Sequence, residues 1–296
     1  MAPEKQTSLE SSDRHQISPL LELRDVAFAY SQTGRSGRPT LSNVSFAIGR
    51  GQALGLIGES GSGKSTIAKL ALGLATPKEG AIYFDGRQLS KANLSAFRRR
   101  VQPIFQNPMD ALDPRMTVQE QIIEPLLVNF RLPRVERGRR MAEALAAVGL
   151  PIQIAEKRPR EISGGQAQRV TIARALVLNP DLLVCDEPVS ALDMTVQAQI
   201  LNLLSELKSK RHLSLLFISH DIRAVSHLCS EVVVLRSGRI VESGTRDNVL
   251  TQPGAEYTKL LLSSIPNFRP SRVGHVLADT RASTQSPSGE KGAVVR

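Results

Sequence analysis

Apolar and polar residues change period several times along the chain, and each change marks a predicted element. Leu21 and Leu23, then Val26 and Phe28, alternate with polar neighbours, as do Val44, Phe46 and Ile48; both stretches predict half-buried strands. Ala53 to Ile57 is apolar without a break and ends at Gly58, which predicts a short strand buried on both faces. After a glycine-rich loop, Ile67, Leu70, Ala71 and Leu74 recur at i, i+3, i+4 and i+7, the spacing of an amphipathic helix. Ala81 to Phe84 followed by Asp85-Gly86 predicts a strand and a turn. From about residue 107 to 179 the pattern is helical, broken by Pro108, Pro114, Pro125, Pro133, Pro151 and Pro159. Strands follow at Leu182–Cys185, Leu215–Ser219 and Val232–Leu235, the last closed by a turn at Ser237-Gly238. Helices over Val196–Lys210 and Ile222–Cys229 lie between them. Strands alternating with helices imply an α/β fold with a mostly parallel core sheet, into which the 107–179 stretch is inserted as a helical subdomain. No internal repeat is visible.

Three segments lack such a pattern. Residues 1–19 are rich in Ser, Gln, Glu and Lys and read as a disordered tail. Ser31 to Pro39 reads as a Gly/Ser/Arg loop, and residues 269–296, rich in Ser, Arg, Pro and Gly, as a loose second tail. The 296 residues are 41% hydrophobic and 22% charged, ordinary for a globular chain with a sizeable core. The net charge of +10 raises nucleic acid or an anionic membrane as partners. However, much of the excess sits in Arg98-Arg99-Arg100 and between Arg134 and Arg140. With eight Phe, three Tyr and no Trp for base stacking, a solvated basic face is the expectation, and nucleic acid is not expected as a partner. The cysteines, Cys185 and Cys229, have neither metal-ligand spacing nor a disulfide framework, and Cys185 lies in an apolar run. No stretch reaches the roughly 18 apolar residues of a membrane span. The reading is a soluble, cytoplasmic protein of a reducing compartment, with any transport pathway built by other chains.

The chemistry lies in the breaks between apolar runs. Gly58-Glu59-Ser60-Gly61-Ser62-Gly63-Lys64-Ser65 joins a strand to a helix and fits G-x-x-x-x-G-K-[ST]. Its glycines let backbone N–H groups converge on phosphate oxygens, and the following helix contributes its positive N-terminus, with Thr66 among the candidate nucleotide-binding residues. Lys64 brings a point charge to the β- and γ-phosphates, and the Ser65 hydroxyl suits a Mg²⁺ ion. Asp186 and Glu187 end an apolar run where open α/β sheets place their ligands. Asp186 is the candidate Mg²⁺ partner, and Glu187 the candidate base toward an attacking water. Ser163-Gly164-Gly165-Gln166 opens another helical pattern; by itself it is either a helix cap or an anion site.

In this order the three segments resemble the nucleotide-binding subunit of an ATP-binding-cassette (ABC) transporter. The resemblance covers about residues 20–268, one ATPase domain with the helical subdomain at about 107–179. It implies an N-terminal antiparallel β-subdomain beside the mostly parallel core. It also implies that Ser163, Gly164, Gly165 and Gln166 of one subunit close over ATP held by the phosphate loop of another. Ile162 stands before them where Leu is commoner in the family. Gln106, after Val101–Phe105, matches the family's glutamine that senses Mg²⁺ and water. His220, between Ser219 and Asp221, matches the switch histidine that contacts the γ-phosphate. Ser190-Ala191-Leu192-Asp193 matches the loop that speaks across the dimer, and Tyr30 the aromatic that stacks on adenine.

Within the family, Asn107 to Val118 resembles the dipeptide, oligopeptide and nickel importers. Tyr257 to Pro266 resembles their C-terminal element, placed at about 250–268, although Gly254-Ala255-Glu256 replaces the more usual His-Pro. No cysteine follows Cys229, so the C-terminal iron–sulfur centre of some relatives is not expected. The resemblance implies ATP and Mg²⁺ as ligands and a head-to-tail dimer with a second, non-identical ATPase subunit. It further implies two transmembrane permease subunits, a periplasmic solute-binding protein acting through them, and a place on the cytoplasmic face of the inner membrane. The cargo is left open among dipeptide, oligopeptide, nickel and an opine-like solute. Two rival readings are a soluble ABC protein of DNA repair or translation and a catalytically silent partner. The first would bring coiled coils or two cassettes, which the sequence lacks; the second conflicts with the full set of hydrolytic residues.

Overall fold

The computed structural model describes residues 18–30 and 40–264. The two predicted tails, apart from residues 18 and 19, the 31–39 loop and the last residues of the C-terminal element lie outside the described residues. β1 (Leu21–Phe28) and β2 (Leu41–Ile48) pair antiparallel, and β3 (Ala53–Ile57) runs into the glycine loop and α1 (Lys64–Ala71). β4 (Glu79–Phe84), the two-residue β5 (Arg87–Gln88) and α2 (Leu94–Arg100) lead to β6 (Val101–Ile104). The helical insertion consists of α3 (Val118–Asn129), α4 (Arg134–Ala147), two short 3-10 turns and α5 (Gly164–Leu176). β7 (Leu182–Asp186), α6 (Met194–Arg211), β8 (Ser214–Ile218), α7 (Ile222–Leu228) and β9 (Glu231–Arg236) alternate as predicted. β10 (Arg239–Thr245), α8 (Arg246–Thr251) and α9 (Glu256–Ser263) follow.

Two sheets form. The order β2-β1-β4-β5 makes an antiparallel sheet, and β10-β9-β3-β8-β7-β6 makes the larger one. In the larger sheet the strands from β9 to β6 are parallel, and β10 adds to its edge antiparallel to β9.

The period-two rule sorts each central strand onto two cores. Leu182 and Val184 pack with α1 and the antiparallel sheet, whereas Leu183 and Cys185 pack with the helices of the other face. The second of these clusters runs without interruption from the sheet into α3, α4 and α5, so the helical insertion shares its core with the strands that carry the chemistry. Among the described residues no helix is long and apolar enough to cross a membrane.

Local corrections to the sequence reading have physical causes. The apolar spacing puts Leu74 on α1, but the helix stops at Ala71, Gly73 turns left-handed (φ 63°), and Leu74 is 58% exposed. Pro125 was read as a break, yet it lies inside α3. A capping box at Thr117 and Glu120 fixes the start of that helix, and buried Ile122 and Leu126 hold it across the missing donor. Pro103 is tolerated in β6 because that strand is an edge, paired with β7 alone.

The arginines between 134 and 140 fit a solvated face, Arg139 and Arg140 pairing with Glu136. The other cluster is committed to neighbours. Arg98 donates to the Gly73 carbonyl, and Arg100 ion-pairs with Asp85 (3.0 Å) and Asp181 (2.5 Å). Arg50 reaches the same two carboxylates. These four residues tie the antiparallel sheet to the approach of β7.

Candidate functional site

Parallel pairing brings the chemistry to one edge of the large sheet. β3 and β7 flank β8, so Leu56 and Asp186 both stand level with Ile218. The glycine loop and the Asp186-Glu187 pair therefore leave the sheet side by side. Gln106 lies two residues beyond β6 and is exposed toward the same edge, and His220 lies two residues beyond β8.

The loop needs its glycines at specific points. A Cβ on Gly58 (φ 155°) would stand 2.2 Å from the Leu235 carbonyl oxygen, and one on Gly63 (φ 108°) 2.7 Å from Leu41. Gly61 (φ 77°) faces open space. Glu59, Ser60, Gly61 and Ser65 are exposed, whereas Ser62, Lys64 and Thr66 are buried. Lys64 Nζ donates to the carbonyls of Gly58 and Glu59, both at 2.8 Å, so the ammonium is held inside the loop's curve. Burial pushes the Lys64 ammonium down from its ordinary range, opposed by the nearby Glu187 and Asp186 carboxylates. Ser62 Oγ is buried with no hydrogen-bond partner among the described residues, a polar group suited to an oxygen-rich ligand.

Asp186 is pushed up by burial, against a hydrogen bond from Ser65 that favours its charged form. A half-buried carboxylate touching a hydroxyl beside a glycine loop is a hard-oxygen set of the kind Mg²⁺ takes. Glu187 has left-handed backbone (φ 50°), uncommon for a side chain of this type. Its N–H donates to the Ile218 carbonyl (2.9 Å), while its carbonyl accepts from the Ser190 hydroxyl (3.1 Å). Its carboxylate lies 3.3 Å from His220 Nδ1. The two side chains differ in exposure: 21% for Glu187, 62% for His220.

Tyr30 is half-exposed, not a core residue. Its ring stands edge-on to Phe28 at 5.0 Å, Lys69 Nζ sits 5.4 Å from the ring centre, and the hydroxyl lies 3.3 Å from Thr66 Oγ1. It thus borders the start of α1 with one ring face uncommitted to another aromatic.

Ser163-Gly164-Gly165-Gln166 forms the helix cap, one of the two readings the sequence offered. Ser163 Oγ accepts from the Gln166 N–H (3.2 Å), and Gln166 Oε1 accepts from the Ser163 N–H (3.0 Å), a reciprocal capping box. A Cβ on Gly165 would meet Val196 at 2.8 Å, so α5 packs closely on α6. Ser163 and Gly164 face solvent, and the first N–H groups of α5 point out of the protein as a helix start does. No hydrogen bond or ion pair between described residues joins this segment to Gly58–Thr66. The loop, the acidic pair, His220 and Gln106 are gathered at one sheet edge; no hydrogen bond or ion pair among the described residues links the Ser163 segment to them.

Sequence reasoning took Tyr257 only as part of the C-terminal element. Its hydroxyl in fact accepts from the Glu59 N–H at 3.2 Å, across 198 positions of sequence. No local pattern signals a contact of that range.

A glycine loop between a parallel strand and a helix, with an acidic strand end beside it, defines a nucleotide-binding α/β ATPase. The helical insertion ending in a capped Ser-Gly-Gly-Gln helix narrows the class to the ATP-binding cassette. The chain belongs to the ABC transporter family, whose model matches residues 41–190. It is 46% identical over 256 residues to the "putative peptide import ATP-binding protein" of Brucella ovis, covering 86% of this chain and 80% of the relative. The dipeptide transport ATP-binding protein DppF of Escherichia coli K12 is 43% identical over 233 residues, 78% of this chain and 70% of that one. Among solved structures, the dimer of the ATP-binding cassette MJ0796 in a post-hydrolysis state with ADP and Pi matches with a TM-score of 0.69 and 31% identity. That match covers 76% of this chain and 98% of the other.

Proposed function

We propose that this chain is the ATP-hydrolysing subunit of a peptide importer, placed peripherally on the cytoplasmic face of the membrane. The observation that carries the proposal is the gathering of Lys64, Asp186, Glu187 and His220 on one sheet edge, while no hydrogen bond or ion pair among the described residues joins Ser163–Gln166 to them. A site so divided is completed by a second subunit: ATP on the Gly58–Thr66 loop of one chain meets the Ser163 segment of its partner. The likeness to a cassette dimer with ADP and Pi, and to named peptide import subunits, supports this reading. The second ATPase subunit is non-identical, and two permease chains and a periplasmic solute-binding protein complete the assembly, as the importer resemblance implies.

Within the site, Tyr30 offers its ring to adenine, and the loop N–H groups take the β- and γ-phosphates. Lys64 exchanges the Gly58 and Glu59 carbonyls for phosphate oxygens. Ser65, Asp186 and Gln106 are the residues that would hold Mg²⁺, which when bound neutralises charge on those oxygens. Glu187 orients and deprotonates the attacking water, and His220, 3.3 Å away, holds that carboxylate in place. ATP touches both subunits only when they are closed, so it favours the closed state, and hydrolysis releases it.

The test is ATP turnover by the complex in liposomes with its binding protein added. Binding protein loaded with a di- or oligopeptide should raise turnover. Stimulation by a nickel-loaded or opine-loaded binding protein, with none by the peptide form, would overturn the peptide assignment.

A further inference from the structure

Helix α9 lies across the carboxyl edge of the large sheet, where the site is. It starts beside β3 and β9. Tyr257 is buried, its ring lies under the Arg236 guanidinium at 4.6 Å, and its hydroxyl reaches the glycine loop. It ends beside β8 and β7, where Ser264 joins Ser219, His220 and Val189 in lining a cavity of about 370 Å³. The helix start is fixed by Glu242 on β10, whose carboxylate accepts from the N–H groups of Gly254 (2.7 Å) and Ala255 (3.2 Å).

The Tyr257 contact falls on one particular peptide unit. The Glu59 N–H that donates to the Tyr257 hydroxyl shares a plane with the Gly58 carbonyl, which accepts from Lys64 Nζ. In a trans peptide the C=O and N–H point in opposite directions. The plane is therefore held from both sides, by the phenol on one and by the ammonium on the other. Glycine has more rotational freedom than any other residue type, and of these two contacts only the one from Lys64 belongs to the loop itself.

We propose that Tyr257 is a positioning residue for nucleotide binding. Its hydroxyl sets the Gly58–Glu59 peptide, and through the Gly58 carbonyl it sets where the Lys64 ammonium stands when phosphate arrives. The C-terminal element thereby becomes part of the nucleotide site. This rests on the reading of Gly58–Ser65 as the phosphate loop.

The alternative is that Tyr257 merely fills space under α9, and Tyr257→Phe separates the two because it keeps the ring and removes the hydroxyl. In the full-length chain with a fluorescent ribose-labelled ADP and Mg²⁺, Y257F should weaken binding about three- to tenfold, the effect of one lost hydrogen bond. In the assembled complex its KM for ATP should rise by a similar factor with kcat within about twofold. Unchanged affinity and KM in a folded Y257F protein would overturn the proposal. Amide hydrogen exchange in the nucleotide-free wild-type chain tests it without any variant. The Glu59 N–H should be protected although its residue is exposed, and exchange at the rate of a free peptide would overturn the proposal equally. A wild-type chain that binds no labelled ADP would instead refute the phosphate-loop reading, while the exchange result would still judge the Tyr257 contact.

Discussion

Gly58 and Gly61 belong to the same loop and fit the same pattern, but they do different jobs. At Gly58 a methyl group would meet the Leu235 backbone oxygen at 2.2 Å, an atom that cannot move without displacing β9. At Gly61 the space is open and the obstacle is the left-handed backbone alone. Gly61→Ala should therefore fold with a loss of about 1–2 kcal/mol, read as a fall of roughly 2–8 °C in Tm. Gly58→Ala should lose folded protein or nucleotide binding altogether; scanning calorimetry and ADP titration on the pair would reveal the contrast. Glu187 presents a residue-scale question of another kind. Its left-handed backbone and its approach to His220 hold the carboxylate in one orientation. Glu187→Gln keeps the shape and removes the base, so phosphate release should fall about 10²–10⁴-fold with ATP still bound. Turnover near wild type in that variant would take Glu187 out of the role.

At the scale of elements, legibility in the sequence followed burial. β3, β7, β8 and β9 were readable because nearly every position in them is buried, leaving unbroken apolar runs. β10 was not, since no side chain in it is fully buried, and α2 was not, since Phe97 is its single buried residue. The residues of the site stood out because phosphate chemistry demands particular types at fixed local spacing. Tyr257 did not, because its role depends on folding partners far away in sequence. The arginine run at 98–100 was misjudged in part for the same reason: its partners Asp85 and Asp181 come from two other elements. Arg100 bridges both and lies over the Phe84 ring at 4.8 Å. Arg100→Ala should cost about 1–2 kcal/mol in urea unfolding, with a smaller loss at high salt as the ionic share is screened. A loss unaffected by salt would assign the effect to packing on Phe84 instead.

At the scale of the whole molecule, the question is whether the capped Ser163 helix start, which no hydrogen bond or ion pair among the described residues joins to Gly58–Thr66, serves a second subunit as proposed. Gly164 allows that question to be put to a single chain. It faces solvent, and a Cβ there would find no atom nearer than Leu192 at 3.9 Å, so Gly164→Asp fits the isolated chain without strain. A carboxylate at the start of α5 complements the helix dipole and should leave Tm unchanged or slightly raised. Among the described residues no hydrogen bond or ion pair joins this position to the chain's own phosphate loop, so the ADP affinity of the variant alone should stay within about twofold of wild type, less than half a kcal/mol. Across a closed dimer the same carboxylate would face the γ-phosphate held by the partner, and like charges in a water-poor site repel strongly. ATP-dependent dimerisation should then be lost in size-exclusion chromatography, and turnover of the complex should fall by about 10²-fold or more, the scale of losing one group that stabilises the transition state. If Gly164→Asp instead weakened ADP binding by the lone chain, the Ser163 segment would be acting on its own loop, and the division of the site between two subunits would be wrong.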